Sequence, residues 1–354
     1  MAEMQIDNAL APRNGEELDI NILNAHLREN EPQLGTVTEI LQFPGGFSNL
    51  TYCLKTTTGE YVLRRPPFGA NIKSAHDMGR EFKVLTLLKG VYNKIPNPVY
   101  YCESPEVMGA PFYIMQRIKG VILRAANAPK MGLAPRILQT ASETLIDNLV
   151  ALHNLDINSS GLIELGKPDG YVQRQIEGWI KRYYAAETDK IETLDAAAKW
   201  LQQNQPQSPA PAFIHNDYKF DNVIFSADNF SQIVGVLDWE MATVGDPLMD
   251  LGASLAYWSE PTDPDEIKFF NLTWLPGNLN KQQVIERYAA KSGRNLSNIL
   301  FYYIFGLFKN AVIVQQIYAR YKKGLTHDKR FAALLPVIKA LGNKTAQTLN
   351  AGGI

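Results

Sequence analysis

The sequence contains little cysteine, which excludes two ways of stabilising a fold. Cys53 and Cys102 are the 2 cysteines among 354 residues, and neither belongs to a C-x-x-C pair or to a Cys/His metal spacing. A disulfide framework or a structural zinc site is therefore not expected, and this suits a reducing compartment. Residues 1–7 contain neither a basic segment nor an apolar core, so we expect no signal peptide and a cytoplasmic location.

The sequence also lacks an excess of either charge and a long hydrophobic run. Its formal net charge is −1, so we expect neither nucleic acid nor a membrane as partner, since both favour basic surfaces. The most apolar stretch, 299–314, contains Lys309 and Asn310 and is shorter than the roughly 20 residues of a membrane span. We predict a buried core helix there. The oligomeric state stays open.

One polar constellation indicates chemistry. Within the loop 215–222, Asp217, Lys219 and Asn222 stand at the spacing of the kinase motif H-R-D-x-x-x-x-N. Further on, Asp238 ends an apolar segment that is predicted to be a strand. Phosphoryl transfer from ATP needs a carboxylate near the acceptor hydroxyl, and an Asn with a second carboxylate to hold Mg²⁺. These residues predict an ATP-dependent kinase.

The first third of the chain has the pattern of short strands. We predict a hairpin whose tip contains Gly45-Gly46 and whose second strand spans 61–64, and two further strands over 98–102 and 111–116. An amphipathic helix is predicted over 16–30. Ser74 and Asp77 resemble a capping box that opens a second helix.

From about residue 130 the apolar spacing becomes helical. Helices are predicted over 171–186, 191–203, 246–258, 281–291, 298–323 and 329–349. Asp246 precedes Pro247 and is predicted to cap its helix, while Asp250 is predicted to brace the 215–222 loop. The fold class is therefore α+β: a two-lobed, kinase-like chain with a β-rich N-terminal nucleotide-binding lobe (1–118) and a larger helical catalytic and acceptor-binding lobe (119–354).

Several segments carry a family resemblance. The sequence resembles the aminoglycoside phosphotransferase and choline kinase-like branch of the kinase superfamily, in particular the phosphotransferase domains of acyl-CoA dehydrogenase 10/11-type proteins. The likeness extends from about residue 40 to 335, and its segments are 43–49, 61–67, 79–82, 215–222 and 237–252. It implies that Asp217 is the catalytic base, that Lys219 lies near the transferred phosphate, and that Asn222 and Asp238 hold Mg²⁺.

The resemblance also implies a nucleotide site for ATP, with GTP not excluded. Arg64 takes the place of the usual strand lysine, and Glu81 is expected to pair with it. Ser48 and Asn49 replace a G-x-G-x-x-G loop over the phosphates. The expected adenine hinge is formed by three residues: Met115, Gln116 and Ile118.

The acceptor is less defined by the residues. Arg174, Gly178 and Arg182 share one face of the helix over 171–186, and a later helix adds Lys309 and Arg320. This basic surface suits an anionic small molecule, although the same residues would also solvate ordinary helices. The resemblance implies a hydroxyacyl-CoA acceptor.

Three other functions remain open from the sequence. The protein could phosphorylate another small alcohol, such as an aminoglycoside or an amino alcohol. It could be a catalytically silent, kinase-like scaffold, because Arg64 and the glycine segment depart from the kinase pattern. A metal-dependent hydrolase is weaker, since it would lack the usual histidine ligands.

Overall fold

The computed structural model describes residues 8–44, 49–68, 77–326 and 329–354. The chain divides into two compact units. Unit 1 comprises Met1–Ile122, Val223–Asp228 and Ile233–Met241, and unit 2 comprises Leu123–Asn222, Asn229–Gln232 and Ala242–Ile354. The sequence predicted a single boundary at residue 118. It did not anticipate that a later hairpin belongs to the first unit.

Unit 1 is built on one antiparallel sheet of five strands in the order β1-β2-β3-β5-β4. The strands are β1 (Val37–Gln42), β2 (Leu50–Thr56), β3 (Glu60–Arg65), β4 (Pro98–Cys102) and β5 (Phe112–Gln116). The hairpin of β2 and β3 aligns Leu50 with Arg65 and Lys55 with Glu60. The predicted strands are confirmed, but β2 and β3 are joined at 57–59 and not at Gly45-Gly46, which lie outside the described residues. Strand β1 is a strand that the sequence pattern did not indicate.

Three helices accompany this sheet: α1 (Ile20–Asn30), α2 (Met78–Leu88) and α3 (Pro105–Met108). The predicted capping box is wrong. Asp77 is itself the N-cap of α2, because its carboxylate accepts from the Arg80 N–H at 2.9 Å. Ser74 lies outside the described residues. The helix buries an apolar face that includes Leu85, and Glu81 is buried with that face.

Two short antiparallel pairs of strands follow later in the chain. Strand β6 (Ala212–Ile214) pairs with β9 (Thr243–Gly245) in unit 2, and β7 (Val223–Phe225) pairs with β8 (Ile233–Val236) in unit 1. The second pair belongs to unit 1 because Val121 and Phe225 exchange backbone hydrogen bonds at 2.9 and 2.8 Å. The Val236 N–H also donates to the Lys94 carbonyl at 2.8 Å.

Unit 2 is largely helical. Its helices are α4 (Pro135–His153), α5 (Tyr171–Ala185), α6 (Glu192–Gln203), α7 (Pro247–Ala256), α8 (Asp265–Lys268), α9 (Lys281–Ser292), α10 (Ile299–Lys322) and α11 (Leu334–Ala351). Helices α7 and α10 approach each other closely. A Cβ at Gly252 would overlap the Tyr302 carbonyl, and one at Gly306 would overlap the Gly252 carbonyl. Glycine at both positions therefore permits the contact.

Helix α10 confirms the predicted core helix. By length and composition alone, it is the one helix in the described ranges that could cross a membrane. However, 72% of its most apolar window is buried inside the protein. That burial is the pattern of a core helix, and it includes both Lys309 and Asn310.

Candidate functional site

In unit 1 the structure brings together Arg64, Glu81 and Asp238. Arg64 Nη1 on β3 donates to Glu81 Oε1 on α2 at 2.5 Å, and Nη2 donates to Asp238 Oδ1 at 3.2 Å. The predicted pairing of Arg64 with Glu81 is therefore present, and both side chains are buried. Burial alone would lower the pKa of Arg64, but the two carboxylates hold it above its ordinary value. The guanidinium remains charged in this setting.

Asp238 has an unusual backbone. Its φ is 65°, a left-handed conformation that costs a non-glycine residue about 1–3 kcal/mol. It lies between β8 and a 3-10 turn in which Trp239 is buried, and the Trp239 Nε1–H donates to the Val236 carbonyl at 3.0 Å. These contacts hold the turn, so the Asp238 side chain reaches Arg64 while staying 33% exposed. A strained, anchored and accessible carboxylate suits a binding role.

The predicted phosphate-loop residues are only partly visible. Gly45, Gly46 and Ser48 lie outside the described residues. Asn49 is buried, and its Nδ2 donates to Glu240 Oε2 at 3.0 Å. The role of Asn49 at a phosphate stays a prediction; in this structure its side chain is engaged within unit 1.

The predicted hinge residues lie at the end of β5. Met115 is buried between β3 and β4, opposite Val62. The Gln116 N–H donates to the Asn97 carbonyl at 2.8 Å. Ile118 follows the strand, and backbone recognition of adenine by Met115, Gln116 and Ile118 stays a prediction.

In unit 2 the 215–222 loop gathers three of the predicted residues. Lys219 Nζ donates to both Asp217 carboxylate oxygens, at 2.8 and 3.0 Å. Asn222 Nδ2 donates to Asp217 Oδ2 at 3.0 Å and to the Asp217 carbonyl at 2.8 Å. Since its nitrogen faces Asp217, the amide oxygen of Asn222 points elsewhere and is available to a cation. The i, i+2, i+5 spacing thus produces one compact cluster.

The charge state of Asp217 follows from its neighbours. Burial raises its pKa, but the ammonium groups of Lys219 and Lys309 more than offset this, so the net pKa lies below its usual range. The pKa of Lys219 is raised: burial opposes its charge, while Tyr257 and Asp217 favour it. At neutral pH the pair is a carboxylate beside an ammonium group. This carboxylate can accept a proton.

The loop is braced from behind, as predicted for Asp250. Asp250 Oδ2 accepts from the His215 N–H at 2.7 Å, and Oδ1 accepts from the Asn216 N–H at 2.8 Å. His153 also contacts Asp250, at 3.1 Å. Asn216 is left-handed, with φ 66°, and its carbonyl accepts from Lys309 Nζ at 2.6 Å. These bonds fix the backbone immediately before Asp217.

The second predicted structural aspartate is also confirmed. Asp246 is the N-cap of α7, and its Oδ1 accepts from the Leu248 N–H at 2.8 Å. Its other oxygen accepts from the Tyr302 hydroxyl at 2.9 Å. Both oxygens thus serve the α7–α10 packing, which supports the loop through Asp250 on the same helix.

One residue of the expected basic acceptor surface is buried. Lys309 is 4% exposed and bound to the 215–222 loop, so it is not a surface cation. Arg174 donates to the carbonyls of Asp169 and Lys167, and Arg182 lies over the Trp179 ring at 4.7 Å. Arg174 and Arg182 are themselves exposed, so the basic face of α5 stays a prediction.

Tyr257 is a neighbour of the loop that sequence reasoning missed. Its ring centre lies 4.4 Å from Lys219 Nζ, and its hydroxyl also interacts with Asp217. Burial raises the pKa of Tyr257, so the phenol stays neutral. Tyr257 directly follows α7, far along the chain from Lys219, and no short-range spacing could have indicated the contact.

Asn222 in unit 2 and Asp238 in unit 1 each offer an oxygen of the kind that suits the predicted Mg²⁺. Among the residues that the structure describes, no group of three His, Cys, Asp or Glu side chains could hold a metal by itself. An amide and a carboxylate oxygen are nevertheless the hard donors that Mg²⁺ prefers, and nucleotide phosphates usually supply the remaining ligands. Each residue, taken by itself, therefore suits a metal that arrives with a nucleotide.

Comparison with known proteins agrees with this arrangement. Residues 39–289 match the family described as the phosphotransferase enzyme family. The chain belongs to the phosphotransferase enzyme family. This family assignment, together with the aminoglycoside phosphotransferase likeness of the fold, makes the protein a small-molecule phosphotransferase with a protein kinase-like fold.

Similar proteins include both curated relatives and solved structures. The phosphotransferase chain is 34% identical over 316 residues to acyl-CoA dehydrogenase family member 11 of Rattus norvegicus, which covers 87% of this chain and 40% of that protein. It thus spans about two fifths of the length of that relative. A Ralstonia eutropha crystal structure assigned as an aminoglycoside phosphotransferase has a TM-score of 0.80, with 28% identity over 95% of this chain and 99% of that one.

A more distant structure shows the shared fold alone. An aminoglycoside phosphotransferase in a ternary complex with ADP and hygromycin B has a TM-score of 0.58 and 14% identity, covering 92% of this chain and 98% of that one. The phosphotransferase fold predicted from the sequence is therefore confirmed.

Proposed function

We propose that the protein transfers a phosphoryl group from MgATP to the hydroxyl of a hydroxyacyl-CoA. The observation that carries the proposal is the Asp217–Lys219–Asn222 cluster, in which the Asp217 carboxylate lies 2.8 Å from the Lys219 ammonium group and 3.0 Å from the Asn222 amide nitrogen. An ionised carboxylate beside a cation suits the positioning of an acceptor hydroxyl next to a transferred phosphate.

The roles of the unit 2 residues follow from this geometry. As the acceptor oxygen bonds to the γ-phosphorus, the bond to the β-phosphate oxygen breaks and ADP leaves. The hydroxyl proton passes to Asp217, which also orients the hydroxyl. Lys219 offsets the negative charge that spreads over the phosphoryl oxygens.

Arg64 serves the nucleotide in unit 1. Its guanidinium is held by Glu81 and Asp238, so its position is set before a nucleotide arrives. Mg²⁺, when bound, would neutralise phosphate charge, and Asn222 and Asp238 are the residues proposed to hold it. A prepositioned cation loses little conformational freedom on binding.

The acceptor rests on the relatives. This chain matches acyl-CoA dehydrogenase family member 11 of Rattus norvegicus over 40% of that protein's length. An acyl-CoA dehydrogenase acts on acyl thioesters, so a kinase region similar to part of these proteins would phosphorylate a related thioester. A hydroxyacyl-CoA supplies both the thioester and the hydroxyl.

The experiment measures phosphoryl transfer from ATP and from GTP, with and without Mg²⁺, to a panel of hydroxyacyl-CoAs, one aminoglycoside and one amino alcohol. Variants Asp217→Asn and Asp238→Asn are compared with the control Asp265→Asn, whose side chain is 94% exposed. We expect Asp217→Asn to lower kcat about 10²- to 10⁴-fold while nucleotide affinity persists. Asp238→Asn should lose Mg²⁺-dependent nucleotide binding as well.

Two results would contradict the proposal. Undiminished turnover in Asp238→Asn would remove the metal assignment. Nucleotide binding without transfer to any acceptor would favour the silent scaffold, the alternative that Arg64 and the glycine segment motivate because they depart from the kinase pattern.

A further inference from the structure

One face of helix α7 contacts the loop that carries the proposed base. Asp250 accepts from the backbone N–H groups of His215 and Asn216, at 2.7 and 2.8 Å. Four residues later, Ser254 Oγ donates to the Tyr218 carbonyl at 2.8 Å. Side chains at i and i+4 lie on the same face of a helix, so both contacts belong to one line along the loop.

Tyr257 continues this line of contacts. It stands three residues after Ser254, at the C-terminal cap of α7, and its N–H donates to the Ser254 carbonyl at 3.2 Å. The centre of its ring lies 4.4 Å from Nζ of Lys219, the loop residue that follows Tyr218. Successive side chains of α7 therefore contact successive parts of the loop, and Tyr257 contacts the charged end of Lys219.

The ammonium group of Lys219 thus has two partners. Both carboxylate oxygens of Asp217 accept from it, at 2.8 and 3.0 Å, and the ring of Tyr257 lies beside it. The face of an aromatic ring attracts a cation, and the attraction is stronger when the cation is removed from water. Burial opposes the charge of Lys219, yet Tyr257 and Asp217 together raise its pKa.

A second carboxylate competes for the same lysine. Burial raises the pKa of Asp221, and the positive charge of Lys219 acts in the opposite direction, so the two groups interact. A lysine side chain is a flexible four-carbon chain with a point charge at its end, and a single ion pair restricts it little. Tyr257 interacts with Asp217 as well as with Lys219, so its contact favours the pair with Asp217.

We propose that Tyr257 is a positioning residue, whose ring holds the Lys219 ammonium group against the Asp217 carboxylate. The inference rests on the proposed function for the part that this pair plays in phosphoryl transfer. The placement of Lys219 is independent of that function, because it needs neither a nucleotide nor an acceptor.

The first test determines the position of Lys219 by NMR in the protein without nucleotide or acceptor. Protons over the face of an aromatic ring are shielded, so the ε-methylene protons of Lys219 should resonate upfield of those of an exposed lysine. Their signal is recorded with ¹³C-labelled lysine and assigned by its absence in Lys219→Met. We expect the upfield shift in the wild type and in Tyr257→Phe, and its loss in Tyr257→Leu.

Two controls separate the loss of the ring from damage to the fold. Tyr184→Leu removes a ring on α5 that is 48% exposed, and it should leave the Lys219 signal in place. Urea unfolding followed by circular dichroism checks that Tyr257→Leu unfolds cooperatively. Tyr257→Met, which fills more of the space of the ring, takes its place if Tyr257→Leu does not fold.

The second test measures phosphoryl transfer from MgATP, with water and with the hydroxyacyl-CoA panel as acceptors. Tyr257→Leu should lower kcat on the order of tenfold, from the loss of a desolvated contact between a cation and a ring. The KM for MgATP should change less than kcat. Tyr257→Phe keeps the ring and should retain most of the wild-type kcat.

The outcomes separate the role of the ring from the kinase activity. No upfield shift in the wild type, or the same shift in Tyr257→Leu, would overturn the proposal even if phosphoryl transfer is observed. Equal losses of kcat in Tyr257→Phe and Tyr257→Leu would also overturn it, because the hydroxyl and not the ring would then act. A shift that Tyr257→Phe keeps and Tyr257→Leu abolishes would support the placement even if no acceptor is phosphorylated.

Discussion

Replacing Arg64 with methionine tests the buried ion pair of unit 1. Glu81 has a side chain that is 1% exposed, and its Oε1 accepts from Arg64 at 2.5 Å. Methionine fills part of the space but leaves the Glu81 carboxylate buried without its cation. Removing one partner of a buried pair costs about 3–5 kcal/mol, so we expect the free energy of unfolding to fall by that amount.

A second substitution separates charge from packing. In Arg64→Met/Glu81→Leu no buried charge is left unpaired, and replacing a whole buried pair with apolar residues is often neutral or stabilising. We expect the double variant to recover most of the stability that Arg64→Met loses. Nucleotide affinity should stay low in both variants, because each lacks the guanidinium proposed to hold the phosphates.

Urea unfolding followed by circular dichroism measures the stability, and thermal shift with MgATP measures the affinity. Lys55→Met is the matched control, since Lys55 pairs with Glu39 at 2.6 Å in the same sheet but both side chains are nearly half exposed. Its urea midpoint should barely change. A midpoint for Arg64→Met equal to that of Lys55→Met, or no recovery in the double variant, would refute the reasoning.

Two further predictions concern the 215–222 loop. Lys309→Met removes a cation that lowers the pKa of Asp217, so that pKa should rise and the acid limb of the pH profile of kcat/KM should move to higher pH. An unmoved acid limb would show that Lys309 does not act on the base. Asp250→Asn keeps one oxygen for two loop N–H groups, those of His215 and Asn216, so one of them loses its acceptor. We expect a loss of about 1–3 kcal/mol in urea unfolding together with a lower kcat, and wild-type values of both would contradict the bracing role.

Much of the fold followed from local patterns. Helical apolar spacing located α5 and α6 to within a few residues. A helix that buries one face needs apolar residues every three to four positions, and this repeat can be read from the sequence. Strand β1 was missed, since its burial pattern is irregular and its pairing with β2 contains a register shift. The capping prediction failed because Ser74 and Asp77 are both suitable N-cap residues and lie close together in sequence. The residue at which the helical backbone begins decides which of them caps the helix, and that residue is Asp77.

The cluster of Asp217, Lys219 and Asn222 could be predicted because its contacts are local. Three side chains at fixed spacing in one short loop contact one another, and these contacts do not depend on distant segments of the chain. The pairing of Arg64 with Glu81 was implied by the family resemblance, and the structure shows it.

What only the tertiary structure decided is the environment of those groups. The sequence pattern placed Lys309 on a basic surface. In the structure the middle of α10 is buried on nearly all of its faces, Lys309 included. The lysine therefore points into the protein, where it donates to the carbonyl of Asn216. Tyr257 is remote in sequence from Lys219, yet its ring lies beside the ammonium group of that lysine. Burial, charge compensation and cavities depend on which distant segments pack together, and a local pattern carries no record of that packing. The sequence by itself thus determined the reacting groups, while the tertiary structure determined their charge states and the side chains beside them.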